Sequence, residues 1–432
     1  MRKYFHKIIF LIFFIIIMII IMPDAGKCEN NIFVKLSDIN NQRELLEDYK
    51  NIALKNNFKI IKLVSELKAA RAEITSSGIL MDPVFSYNYN ISDIDQRKHK
   101  FLLSQEFPLT SKLKLEKKIT EFKADEFLQM LETEKRKLIF QIKNIYFDIY
   151  YLIKQRKLTF ENIELLKSIA AVLSAKYKTA KSNYADLIQI QIQIDELSND
   201  FEVYGEMLKP LVYKFNKLLN RNDSESIILP ITLDVNKINY SEEEMQKMVL
   251  ESNPEIKAYY FKIESASAKI ELANKEYVPD LMAGLEYETM KAEEDGEMLS
   301  ADQTENTLTL MFSIKLPVWR KKLSAMVDER KNMKEALEAE RLDISNELLS
   351  QLKNAVSNLA ISEKKIKLYQ DSIIPKSQQA IEIIKNDYIT NKADFKDLIE
   401  NFKIYLEFNI MFEQMKTEYN KMLAEIEMLL GN

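Results

Sequence analysis

Few residues in this chain could carry out bond chemistry, and they are scattered. There are two histidines, His6 and His99, and a single cysteine, Cys28. Nucleophilic catalysis needs a base within hydrogen-bond reach of the attacking group. The usual frames for such chemistry, a glycine-rich phosphate loop, a nucleophile elbow or a cysteine cluster, do not occur in the sequence. The sequence therefore points away from an enzyme and implies no cofactor and no resident metal. Three groups could still act on ions. Glu293, Glu294 and Asp295 form an acidic run that reads as a solvated loop. Met282, Met290 and Met311 offer soft thioether sulfur, and ordinary space-filling or lumen-facing methionine accounts for them. Asp397 and Glu400 lie three apart at the start of a helical pattern, so both project from one helix face. Such a pair either meets a cation or complements the positive end of the helix dipole.

The surroundings of Asp397 occur twice. Tyr177, Thr179, Lys181, Tyr184, Asp186, Leu187 and Ile188 recur 211 residues later as Tyr388, Thr390, Lys392, Phe395, Asp397, Leu398 and Ile399. Asp186, the partner of Asp397, reads as a helix-start acid. A second set, Leu54, Asn57, Ile60, Ala70, Ala72, Ile74 and Pro83, returns 196 residues later as Leu250, Asn253, Ile256, Ala266, Ala268, Ile270 and Pro279. The chain is two tandem copies of one unit. Pro108 pairs with Pro317 at an offset of 209, so most of the extra length of copy two falls between Pro279 and Pro317, where a longer loop is expected.

With 6 Gly and 9 Pro in 432 residues, turns must be few and elements long. The 61 basic and 66 acidic residues are interspersed, which fits solvated helix faces and excludes a nucleic-acid stripe. Arg2, Lys3 and Lys7 precede an apolar run from Ile8 to Met22, the length and flank of a signal peptide, taken as 1–28. Lys27 before Cys28 disfavours lipidation, and cleavage after Cys28 would leave no cysteine to form a disulfide. No later segment has the apolar length of a membrane helix, so further membrane contact must come from strands.

Each copy reads as helix, β-hairpin, long helix, reversal, return helix. In copy one (29–230) the spans are 42–80, 84–108, 110–182 and 185–220; a linker covers 221–240; in copy two (241–432) they are 241–277, 281–317, 318–391 and 394–430. A helix of some 70 residues runs about 100 Å and is stable only when its apolar stripe packs on neighbours. Pro375 is an interior interruption where a kink or change of winding is expected. The strands alternate with period two. Phe85, Tyr87 and Tyr89 share one face of the first hairpin, and Leu285, Tyr287, Leu308, Leu310, Phe312 and Ile314 one face of the second. These nine are expected to form an outward, lipid-facing surface. Four strands cannot close around a lumen, and unpaired edges are intolerable in lipid. Three chains contributing twelve strands would solve both problems.

Taken in order, these segments resemble the outer-membrane efflux proteins, the TolC-like channels. The resemblance is carried by Asn253-Pro254-Glu255-Ile256 opening a helix, Tyr277-Val278-Pro279-Asp280-Leu281 entering a hairpin, Leu316-Pro317-Val318-Trp319 closing it, and Ile374-Pro375 followed by Tyr388 to Ile399. Ser104 to Leu113 is similar to the hairpin exit of the heavy-metal branch, which has Gly where Ser111 stands. Many members also carry glycine at the reversals, where this chain has Ala180 and Asn391. The resemblance implies a mainly α chain with membrane β: a coiled-coil helical barrel in the periplasm continuing a trimeric twelve-stranded barrel in the outer membrane of a Gram-negative bacterium. It implies a passive duct of a tripartite efflux or type I secretion system, partnered by a periplasmic adaptor, an inner-membrane pump of RND or ABC type, and outer-membrane lipid. It makes 221–240 an equatorial segment. It assigns Lys181, Ser182, Tyr184, Asp186, Lys392, Ala393 and Phe395 to adaptor-contacting tips, and turns Asp397 and Glu400 toward the axis as carboxylate rings of a periplasmic gate. The competing reading, a secreted coiled coil or adhesin, explains the helices but not four alternating strands at matched places in two copies.

Overall fold

The computed structural model describes residues 34–37, 42–90, 98–179, 183–291, 304–390 and 392–431. Residues 1–28, read from the sequence as a signal peptide, together with Lys181, Ser182 and the run Glu293 to Asp295, lie outside the described residues. Among the described residues the first elements are β1 (Val34–Ser37), α1 (Gln42–Asn56), α2 (Phe58–Ser76), β2 (Val84–Tyr89), β3 (Lys98–Pro108) and α3 (Lys112–Lys178). It continues with α4 (Tyr184–Leu219), β4 (Ile227–Pro230), α5 (Glu242–Ser252), α6 (Pro254–Lys275), β5 (Asp280–Lys291) and β6 (Thr304–Lys315). It closes with α7 (Arg320–Leu368), α8 (Ile374–Ile389) and α9 (Phe395–Leu430).

The scarcity of glycine and proline has the expected result: α3 runs 67 residues without a break, about 100 Å at 1.5 Å per residue. Its counterpart in copy two is not one α-helix. After the 49 residues of α7 the chain makes a five-residue π turn, Tyr369–Ile373, before the 16 residues of α8. Pro375 has no N–H to give the carbonyl four residues back, and the wider turn accommodates that loss. The π turn also absorbs length. Copy two has two more residues than copy one between its hairpin exit and its tip, the offset growing from 209 at Pro317 to 211 at Tyr388.

The short opening helices differ from the sequence expectation. Spans 42–80 and 241–277 are each divided, at Asn57 and at Asn253. Both asparagines adopt extended backbone and cap the following helix, accepting from the N–H of Lys59 and of Glu255 respectively, 2.9 Å in each case. Both donate their amide across to the end of the return helix, Asn57 to the Leu218 carbonyl at 2.9 Å and Asn253 to that of Leu429 at 3.0 Å. The return helices themselves end in left-handed residues 211 positions apart, Asn220 and Gly431. The repeat in sequence is thus a repeat in capping chemistry.

At mid-height the linker wraps the helices. β1 pairs in parallel with β4, and Ile227 and Leu229 sink fully into a core containing Tyr146, Tyr150 and Phe215. Tyrosine hydroxyls strap the strand-linker segment down. Tyr49 accepts from the Ile228 N–H at 2.7 Å and Tyr150 from the Leu233 N–H at 3.2 Å, while Tyr419 donates to the Asn236 carbonyl at 2.6 Å. Burial pushes the phenols of Tyr146 and Tyr150 well above the ordinary tyrosine range, so both stay neutral. Where helices meet strands, the buried Lys112 at the start of α3 lies 2.8 Å from Asp280, the first residue of β5, and ties copy one to copy two.

Candidate functional site

The two hairpins join into one antiparallel sheet in the order β2-β3-β5-β6, with β3 and β5 paired at the centre. Register then decides which side chains share a face. Tyr87, Phe101, Tyr287 and Leu308 stand in one cross-strand row, and Phe85, Leu103, Leu285 and Leu310 in the next. Ala283 with Phe312, and Phe107 with Leu281 and Ile314, extend the face toward the helices. All nine residues expected on the outward face are therefore on the same side, and all are exposed, Leu310 and Phe312 at 71%. Phe101 is ringed by Tyr87 at 5.1 Å, Tyr287 at 6.3 Å and Phe85 at 6.4 Å between centroids. Sequence reasoning missed Phe101, Leu103 and Phe107. Their alternation with His99 was present but blurred by Leu102 and Gln105.

The opposite face is polar. Ser86, Leu102, Glu286 and Thr309 form one row, Asn88, Lys100, Glu288 and Thr307 another, and Lys100 reaches Glu286 at 2.7 Å. Met282 and Met311 stand on this side, opposite Ser313 and Gly284. A continuous apolar face of this extent, backed by a polar one, exceeds what a soluble monomer leaves uncovered. Among the described residues neither β2 nor β6 has a strand on its outer edge. No helix among them is long and apolar enough to cross a membrane.

At the far end of the helices two hairpin tips pack on each other through a core that includes Leu173, Ile190, Tyr388, Phe395, Leu398 and Phe402. Lys176 links the tips, its ammonium 4.2 Å from the ring centre of Tyr388 and donating to that residue's carbonyl. Burial, and then the charge of Asp186, raise the Tyr388 phenol above its usual range. Asp186 is half-buried in the first turn of α4, where Asn183 supplies the cap. Tyr184 and Lys392 are exposed and Ala393 half-buried. Phe395 is a correction. Its side chain is 5% exposed and fills the tip core, so it is unavailable to a partner. Asp397 and Glu400 are both exposed, flanking the buried Leu398 and Ile399 on α9.

Residues 246–389 match the family model of the outer membrane efflux protein. This stretch is similar to the outer membrane efflux proteins. The rest of the chain shares the fold of that family. The outer-membrane channel OprN superposes with a TM-score of 0.76 at 14% identity, covering 95% of this chain and 97% of that one. CusC, described by its transmembrane channel formation, gives 0.76 at 13%, covering 90% and 92%. The Campylobacter jejuni CmeC outer membrane channel gives 0.75 at 15%, covering 90% and 86%. No curated protein matches the sequence. At such low identity the efflux-protein fold is held by the arrangement of apolar and capping positions rather than by particular side chains.

Proposed function

We propose that three copies of this chain form a passive duct through the outer membrane, a twelve-stranded barrel above a helical tunnel, working with a periplasmic adaptor and an inner-membrane pump. The observation that carries this reading is the sheet: four strands with an exposed apolar face, a polar reverse and two unpaired edges, held at the end of helices about 100 Å long. Closure with neighbouring sheets satisfies both edges, puts the aromatic rows against lipid and leaves the polar face lining a lumen. Asp397 and Glu400, exposed at the other end, become stacked carboxylate rings under threefold symmetry and favour cations at the constriction. The exposed stripe Tyr184, Ile188 and Ile192, one helical turn apart along α4, provides an apolar seat for the adaptor beside Lys392 and Ala393. The exported substrate is chosen by the pump.

Reconstitution into planar bilayers tests the reading. Discrete conductance steps are expected, with cation preference and multivalent-cation block that fall when Asp397→Asn and Glu400→Gln are combined. Absence of any conductance from protein that inserts would overturn the duct. An intact preference in the double variant would move the constriction elsewhere. A photocrosslinker at Ala393 should capture a periplasmic protein in cells, and labelling there by an impermeant extracellular reagent would invert the orientation.

A further inference from the structure

Where the sheet meets the helices the chain builds a two-tier collar. The strand-proximal tier is apolar: Ile79, Met81, Leu109, Leu316, Val318 and Trp319 are all exposed, Trp319 at 77%. The loop carrying Ile79 and Met81 is clamped against the start of α3 by Gly78, whose φ is +73° and where a Cβ would fall 2.5 Å from the Leu113 carbonyl oxygen. Immediately below lies a cationic tier, Lys114, Lys117 and Lys118 on α3 and Arg320, Lys321 and Lys322 on α7, all six exposed. Lys114 and the three α7 cations occupy the first turns of long helices, where the dipole favours acids, with Lys117 and Lys118 in the second turn of α3; neither first turn contains an acid. Glu116 is the sole carboxylate in α3 up to Lys118, and α7 has none before Asp328. Among the described residues no carboxylate ion-pairs with any of the six, whereas Lys112 and Lys123 close by are paired to Asp280 and Glu73. The aromatic contacts of two of them, Lys118 with Phe122 and Arg320 with Tyr277, are 5.5 Å and 5.4 Å and leave the charge open to solvent.

Repeated like charge at a helix start is an unfavourable arrangement that a bound anion would relieve. We infer that this collar binds the headgroups of anionic phospholipids in the leaflet that faces the helices, with the apolar tier against the upper acyl chain. The inference rests on the membrane reading of the sheet. Its occupant is argued from two observations: six clustered cations without a carboxylate partner attract negative charge, and the apolar tier is continuous with the apolar face of β6 through Ile314 and Leu316. An aromatic at the boundary with cations beside it is the arrangement expected at a headgroup layer.

Trp319 is the only tryptophan in the chain and stands in the collar, so its emission reports on the neighbouring lipid directly. The full-length protein would be reconstituted in equimolar phosphatidylglycerol and phosphatidylcholine, with bromine on the chains of one lipid or of the other. The expected result is quenching by brominated phosphatidylglycerol about twofold stronger than by brominated phosphatidylcholine, an enrichment that added salt removes. The triple variant R320Q/K321Q/K322Q should bring the two to equality while the protein still inserts, and K114Q/K117Q/K118Q should lower the ratio. Equal quenching in the unaltered protein, or an enrichment that survives both triple variants, would overturn the inference. Loss of the enrichment when phosphate replaces chloride at matched ionic strength would also overturn it, since the site would then be one for free anions. Quenching by neither lipid would instead sink the membrane reading itself.

Discussion

The two helical tips are built from matched residues and end in opposite environments. In copy one Tyr177 and Tyr184 pack ring on ring at 5.6 Å, yet both are exposed, at 44% and 58%. In copy two Tyr388 and Phe395 make the same contact at 6.0 Å and are 7% and 5% exposed. Ile188 and Ile399 repeat the contrast, at 47% and 4%. The tip core takes Tyr388 and Phe395 from copy two but Leu173 and Ile190 from copy one. Repeat-equivalent residues such as Leu173 with Ile384 and Leu187 with Leu398 share this core, yet the two copies do not contribute to it equally. A repeated local sequence specifies the hairpin, while the depth of its burial is specified by the surface it packs against. The copy-one tip is left with apolar surface to offer a partner, and the copy-two tip has spent its own inside the protomer.

Substitutions at paired positions can break this contrast. The largest effect is expected from Phe395→Ala, which empties a core position and should cost about 3–5 kcal/mol, against Tyr184→Ala at about 0.5 kcal/mol or less. Thermal melts of the purified protein and hydrogen exchange of tip amides would read both, and equal losses would erase the asymmetry. Next, Lys176→Met removes the cation over Tyr388 and a donor to its carbonyl, and should loosen the copy-two tip by about 1–2 kcal/mol; a change confined to copy-one amides would contradict the link.

A smaller effect of opposite sign is expected at Tyr388, whose buried hydroxyl has no partner among the described residues. Tyr388→Phe should leave stability unchanged or raise it by up to about 1 kcal/mol. The pH dependence follows from the raised phenol. A group whose folded pKa exceeds its unfolded value contributes stability that is complete below the unfolded value, near 10 for tyrosine, and is lost as pH rises through the folded value. Stability should therefore fall from about pH 10 upward, less steeply in Tyr388→Phe. An identical alkaline slope in both proteins would remove Tyr388 from the account. Smallest of all, Asp397→Asn with Glu400→Gln should shift the melt by no more than about 0.5 kcal/mol, because both side chains are exposed; a large loss would make them structural rather than gating acids.

Much of this was legible in the sequence, for identifiable reasons. The alternation of β6 is read directly because Thr307, Thr309 and Ser313 separate its apolar residues, and the length of α3 follows from the lack of any breaker between Ser111 and Thr179. The division at Asn253 is signalled by Pro254, while its twin at Asn57 is followed by Phe58, which signals nothing locally; its role emerges only through the Leu218 carbonyl it reaches. The apolar row through Phe101 and Leu103 depends on register with β5, and the burial of Phe395 on packing between copies. Neither is a property of a single segment.

The central claim, that the open edges of this sheet close on neighbouring copies, is tested most directly by disulfide trapping across those edges in intact outer membranes. With Cys28→Ser as background, cysteines placed on β2 at Ser86 or Asn88 would be combined with cysteines on β6 at Thr307 or Thr309. Each chain then carries both halves of the junction. The account predicts that at least one combination yields crosslinked dimers and trimers, about 150 kDa at most given the 50.7 kDa chain, in a ladder that stops at three. A membrane-inserted chain that remains monomeric in every combination, or a ladder that continues beyond three, would contradict it.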